Sequence, residues 1–133
     1  MHARSMARCF LGSAALSSLI IVFALTPALA QAPAQFDKTF RQMLEAVQTN
    51  SYDQFMAQSD PWFKAGFTKK MFDELSQRLG PRLRQGYTAD FLTTMNQQGY
   101  VVYVWKLSFM DKKDDFLATL FVKNGNVSGF VAR

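Results

Sequence analysis

The feature that most constrains this chain is a change of hydrophobic period at Gly80-Pro81. Before that dipeptide apolar residues recur at helical spacing; after it they alternate, as they do in a strand. A chain patterned in this way builds its helices first and its strands second. The expected fold class is therefore α+β, with N-terminal helices packed on one face of a curved antiparallel sheet of about four strands.

In the helical half, Phe36, Phe40, Met43, Leu44 and Val47 share one helix face, and Asp37, Arg41, Glu45 and Gln48 turn to water. Asn50 or Ser51 caps a second, shorter helix carrying Tyr52, Phe55 and Met56. Asp60-Pro61 opens a single helical turn through Trp62 and Phe63. Thr68 caps a third helix with the stripe Phe72, Leu75 and Leu79, which Gly80-Pro81 is expected to end.

In the sheet half, Gly86 to Met95 alternates. Tyr87, Ala89, Phe91, Thr93 and Met95 are expected on one face, and Thr88, Asp90, Leu92 and Thr94 on the other. Val101 to Met110 has an unbroken apolar face of Val101, Tyr103, Trp105, Leu107 and Phe109, with Lys106 and Ser108 opposite. Asp111 to Asp114 is a charged turn and Asp115 to Val122 the next strand. Asn124-Gly125 is a two-residue hairpin signal, from which Asn126 to Ala132 returns as the last strand. Residues 36–133 thus read as one domain.

Residues 1–30 read as a secretory signal that is cleaved off. His2, Arg4 and Arg8 make its positive start, Leu11 to Leu25 its apolar stretch, and Ala28-Leu29-Ala30 its cleavage site. The apolar stretch is short for a bilayer span of ~20 residues, so no stable membrane insertion is expected after cleavage. The expected location is periplasmic or extracellular. Residues 31–35, with Pro33, read as a disordered lead-in.

The leader takes with it the only His, His2, and the only Cys, Cys9. A mature chain without imidazole or thiol lacks the commonest general base, the usual zinc ligands, every Cys nucleophile and every disulfide. No cofactor and no metal are expected. The mature net charge is about +3 and is spread along the chain, which does not point to nucleic acid. Its 11 Phe, 4 Tyr and 2 Trp must pack in place of disulfides.

The order of elements resembles the cystatin-like α+β roll, in particular the nuclear-transport-factor-two-like superfamily and the small exported bacterial domains of unknown function within it. The stretches that carry the likeness are Phe36 to Asn50, Ser51-Tyr52-Asp53, Phe67 to Gly80, Gly99 to Phe109, Asp115 to Phe121 and the Asn124-Gly125 hairpin. Enzymes of that superfamily, such as ketosteroid isomerases and polyketide cyclases, place an acid–base group in a cone between sheet and helices. Several of its dehydratases use a His–Asp pair, which no position of this mature chain can supply. Other members bind small molecules or dimerise through the sheet, so the fold alone does not assign a function.

Among the groups that remain, Tyr87, Asp90 and Tyr103 are the weak catalytic candidates: a desolvated carboxylate beside tyrosines that can donate to a developing enolate. Strand alternation works against the set, because Asp90 lies opposite Tyr87. Asp111, Asp114 and Asp115 lack the spacing of a calcium loop and read as a charged turn. Arg82 and Arg84, two apart in an extended segment, share a face and with Lys69, Lys70 and Arg78 nearby can hold an anion. Trp62, Phe63 and Phe67 can line the mouth of a cavity, and Tyr103 and Trp105 continue the apolar face of their strand. Val102, Val104 and Met110 make the other sheet face less polar than a free surface, which fits a homodimer through that face. The function expected is non-enzymatic binding of a small hydrophobic or anionic ligand, or of a protein partner. The alternative is a cofactor-free isomerase or hydrolase.

Overall fold

The computed structural model describes residues 30–133, so the reading of residues 1–29 as a leader lies outside it. Four helices precede four strands: α1 (Ala34–Gln48), α2 (Tyr52–Met56), α3 (Pro61–Gly66), α4 (Lys69–Arg84), β1 (Tyr87–Gln97), β2 (Tyr100–Phe109), β3 (Phe116–Lys123) and β4 (Asn126–Ala132). The strands form one antiparallel meander in the order β1-β2-β3-β4, and the helices cover one of its faces. The architecture is α+β.

Capping chemistry sets the helix boundaries. Helix α1 starts from Pro33, whose carbonyl accepts from the Phe36 and Asp37 N–H groups at 2.9 and 3.0 Å. Ala34 and Gln35 are therefore helical, and Ala32 packs on the core, which corrects the lead-in expected over 31–35. At the other end Asn50, at φ +54°, turns the chain into the left-handed region. Ser51 N–H then reaches Ala46 O at 2.9 Å and Asn50 N–H reaches Val47 O at 3.4 Å, a Schellman closure. The choice of cap for α2 is thereby resolved: Ser51 accepts from the Gln54 N–H, and Asn50 ends α1. Asp60 and Thr68 cap α3 and α4 in the same manner.

Gly80-Pro81 does not end the last helix. Helix α4 runs through both residues to Arg84, and Gly86, at φ +109°, turns the chain out of it. Pro81 has no N–H to offer the preceding turn. Fully buried Leu79 and nearly buried Leu83 hold that turn on the core, each contributing about 1.5–3 kcal/mol of burial. Gly80 serves packing instead: a Cβ there would lie 3.2 Å from the Val47 carbonyl oxygen, so α1 and α4 cross where α4 has no side chain.

A second correction concerns β1. Its register against β2 slips between Phe91 and Thr93, with Phe91 opposite Trp105 and Thr93 opposite Val104. The bulge at Leu92 exchanges the faces beyond it. Thr93 and Met95 therefore lie on the outer face, not with Tyr87, Ala89 and Phe91, and Thr94, opposite Tyr103, turns inward. The two-residue turns Gln98-Gly99 and Asn124-Gly125 have positive φ at both positions, the backbone that joins twisted antiparallel strands tightly.

Candidate functional site

The space between helices and sheet is filled with rings. Phe40 of α1 stacks on Trp105 with centroids 4.0 Å apart, Phe36 stacks on Tyr103 at 4.9 Å, and Phe91 meets Trp105 edge-on at 5.4 Å. Trp105 is fully buried and its indole N–H has no acceptor. Burial raises the Tyr103 phenol above its ordinary pKa. It does the same for Tyr87, where Arg41 opposes the shift and Glu45 adds to it. Asp90 does not join these tyrosines. Its side chain is 61% exposed on the outer face, with Lys106 Nζ 3.9 Å away. The three weak catalytic candidates are not brought together.

The cations separate as well. On a helix, residues two apart point in different directions, so Arg82 and Arg84 do not share a face as they would in an extended segment. Arg82 makes a two-pronged bond to Asp111 at 2.8 and 3.1 Å, donates to the Asp114 carbonyl, and lies 3.9 Å above the Phe109 ring. That guanidinium bond and the Lys113 N–H hold the Asp111 carboxyl down at about 2. Arg84 instead donates to Gln48 O at 2.7 Å, and Ser76 donates to Val47 O at 2.8 Å. Two side chains of α4 thus satisfy carbonyls that the end of α1 leaves open. Lys69 pairs with Asp73 at 2.9 Å and lines, together with Arg84, an open polar groove of about 480 Å³. Of the expected anion cluster, Lys69 and Arg84 meet in one groove and Arg82 serves the β2–β3 turn.

The outer sheet face lies opposite the helices. Across β1 to β4, Met95, Val102, Phe121 and Gly129 form one row of partners, and Thr93, Val104, Thr119 and Val131 the next. Val102 and Val104 are buried by their neighbours, whereas Leu92, Met95, Leu117 and Val131 are 41–48% exposed. Met110, just past β2, is more exposed still. Asp90 and Lys106 border the patch on one side, and Lys123 lies on the other, 5.4 Å from the Tyr100 ring.

Where this face turns the corner of β4 it runs into an aromatic groove of about 340 Å³. Phe63 and Phe67, 5.1 Å apart, form one wall with Met71, and Tyr100 and Phe121 form the other. Trp62 is the outlier of the expected trio, since it turns into solvent at 78% exposure. Asp60 anchors this corner by accepting from the Phe63 N–H and the Ser128 hydroxyl. Burial works against its charge, yet those hydrogen bonds, one from the Trp62 N–H and the Lys123 charge outweigh it, so its pKa is lowered.

Met71, Tyr100, Phe121, Phe130 and Val131 of the groove, and Leu92, Met95 and Leu117 of the outer face, were not among the residues expected to bind. One signal for the outer face is visible in the sequence. Phe116 to Val122 is apolar at both parities apart from Thr119, as in a strand covered on both sides. The groove has no local signal, because it is assembled from α3, α4 and three strands.

No family model matches the sequence, and no curated protein matches it. Among solved structures, the chain is similar to an uncharacterised cystatin-fold protein from Novosphingobium aromaticivorans. The identity is 12% over 72% of this chain and 95% of that one, with a TM-score of 0.40.

Proposed function

We propose that the mature chain is an exported, non-enzymatic interaction module of the nuclear-transport-factor-two-like kind, which docks a second copy of itself on the outer sheet face. The observation that carries this reading is the apolar outer face itself: four large side chains, 41–48% exposed, spread over three strands around two buried valines. Contiguous apolar surface of this kind is expensive to leave in water and marks a contact surface. The ring-filled interior supports the same reading, since it leaves the sheet's inner face committed to packing. The isomerase or hydrolase alternative needs a carboxylate beside a tyrosine inside the cone, and Asp90 stands outside it.

Light scattering on residues 31–133 tests the proposal. The wild type is expected to weigh two chains, and Val131→Lys one chain with an unchanged circular dichroism spectrum. A wild type that weighs one chain at every concentration removes the self-docking reading.

A further inference from the structure

The groove at the β4 corner has a shape and a charge that the outer-face reading does not use. Its lining is almost wholly apolar, with Phe63, Phe67, Met71, Phe121, Phe130 and Val131. It also continues. A second trough of about 360 Å³ shares Phe67, Met71, Phe130 and Val131 with it and runs on beside Glu74 and Arg78 of α4. Two troughs that share a wall make a long, narrow depression, which suits an extended chain better than a compact ring system. Each is near the lower end of the ~300–1,000 Å³ usual for small-molecule sites.

The charge sits at one end. Lys123 Nζ lies 5.4 Å from the centre of the Tyr100 ring, and Tyr100 forms part of the groove wall. Lys123 makes no ion pair among the described residues. The carboxylate it feels, Asp60, is already engaged by Ser128 and Phe63. At the other end Glu74 and Arg78 line the trough together, so neither sign of charge stands there alone. The depression is thus apolar along its length and cationic at the Tyr100 end.

We propose that it binds a single straight-chain amphipathic anion, such as a long-chain carboxylate. The alkyl chain lies between Phe67, Met71 and Phe130, and the head group stays in water beside Lys123. An acyl chain is apolar along its whole length and leaves no polar group unpaired against these walls. Lys123 selects the sign of the head group and contributes the modest energy of an exposed ion pair.

Gly66 and Gly129 both line the groove, and Gly99 and Gly125 lie in turns away from it, so glycine amides report on the site. The test is an amide nitrogen–proton NMR titration of residues 31–133 with dodecanoate, below its micelle-forming concentration. The uncharged dodecyl maltoside is the control. Saturable shifts at Gly66 and Gly129 are expected, with Gly99 and Gly125 still. Lys123→Met should weaken dodecanoate about threefold, the size of an exposed ion pair, and leave dodecyl maltoside unchanged. Non-saturating shifts, shifts centred on Met95 and Leu117, or equal loss for both amphiphiles would overturn the proposal. The titration is repeated on Leu117→Lys. Binding retained there, whatever the oligomeric state, separates this site from the outer-face contact; binding lost there assigns the amphiphile to that contact and overturns the groove.

Discussion

The two faces of this sheet are built from the same strands and have opposite fates. On β3, Leu120 and Leu117 are three residues apart and point to opposite sides. Leu120 is fully buried beneath the helices, whereas Leu117 is 48% exposed on the outer face. The inner face is covered by Phe36 and Phe40 of α1, by α4, and by rings that leave no room between the layers. The outer face has comparable side chains and nothing of its own chain over them. Hydrophobic side chains therefore mean stability on one side and a surface for docking on the other. Which role a leucine takes depends on parity along the strand.

The largest effect expected is from Leu120→Lys, which would bury an unpaired charge among the rings. A cost of more than about 4 kcal/mol is expected, with loss of the folded baseline in urea unfolding. Next is Gly80→Ala, which presses a methyl group against the Val47 carbonyl where α1 and α4 cross. Over-packing of that kind costs about 1–3 kcal/mol, read as a lower denaturation midpoint. Because it disturbs only the helical layer, the dimer should survive at temperatures where the variant is folded. A monomeric Gly80→Ala would show that the two faces are coupled.

Asp111→Asn removes the carboxylate that fastens the β2–β3 turn to α4 through Arg82. The carboxyl titrates at about 2 in the folded protein, below its ordinary 3.8. A depressed pKa stabilises the fold above the ordinary value and loses that contribution as pH falls toward the folded one. The variant should melt below the wild type at neutral pH, and the two melting curves should converge between about pH 4 and pH 2. A gap that stays constant down to pH 2 would mean that the Arg82–Asp111 bond is not its source. The smallest effect on stability is expected from Leu117→Lys, within about 0.5 kcal/mol of wild type by the same urea assay. If it unfolds the domain as Leu120→Lys does, the distinction between the faces fails.

Much of the fold was legible in the sequence because its signals are local. The stripe of α1, the Asp60-Pro61 and Thr68 caps, the inner face of β2 and the Asn124-Gly125 turn each depend on residues a few positions apart. What was not legible depends on partners far along the chain. Gly80-Pro81 looks like a helix stop, and only the buried Leu79 and Leu83 and the close approach of Val47 show why the helix continues. The Leu92 bulge is written in the pairing of β1 with β2 and not in Phe91-Leu92-Thr93 itself. Arg82 resembles a free ligand-binding cation until Asp111, twenty-nine positions away, is placed against it. The groove residues escaped for the same reason.

The most direct test of the docking surface compares methionine methyl groups in a single spectrum. Met95 lies on the outer face, Met110 beyond the end of β2 and Met71 beside the groove, all exposed in the single chain, while Met43 and Met56 are buried. With methyl-labelled methionine and a soluble paramagnetic relaxation agent, the account predicts that Met95 is shielded at high protein concentration and relaxed on dilution. Met110 should be relaxed throughout, and Met43 and Met56 shielded throughout. A Met95 methyl as strongly relaxed as that of Met110 at every concentration would contradict the account.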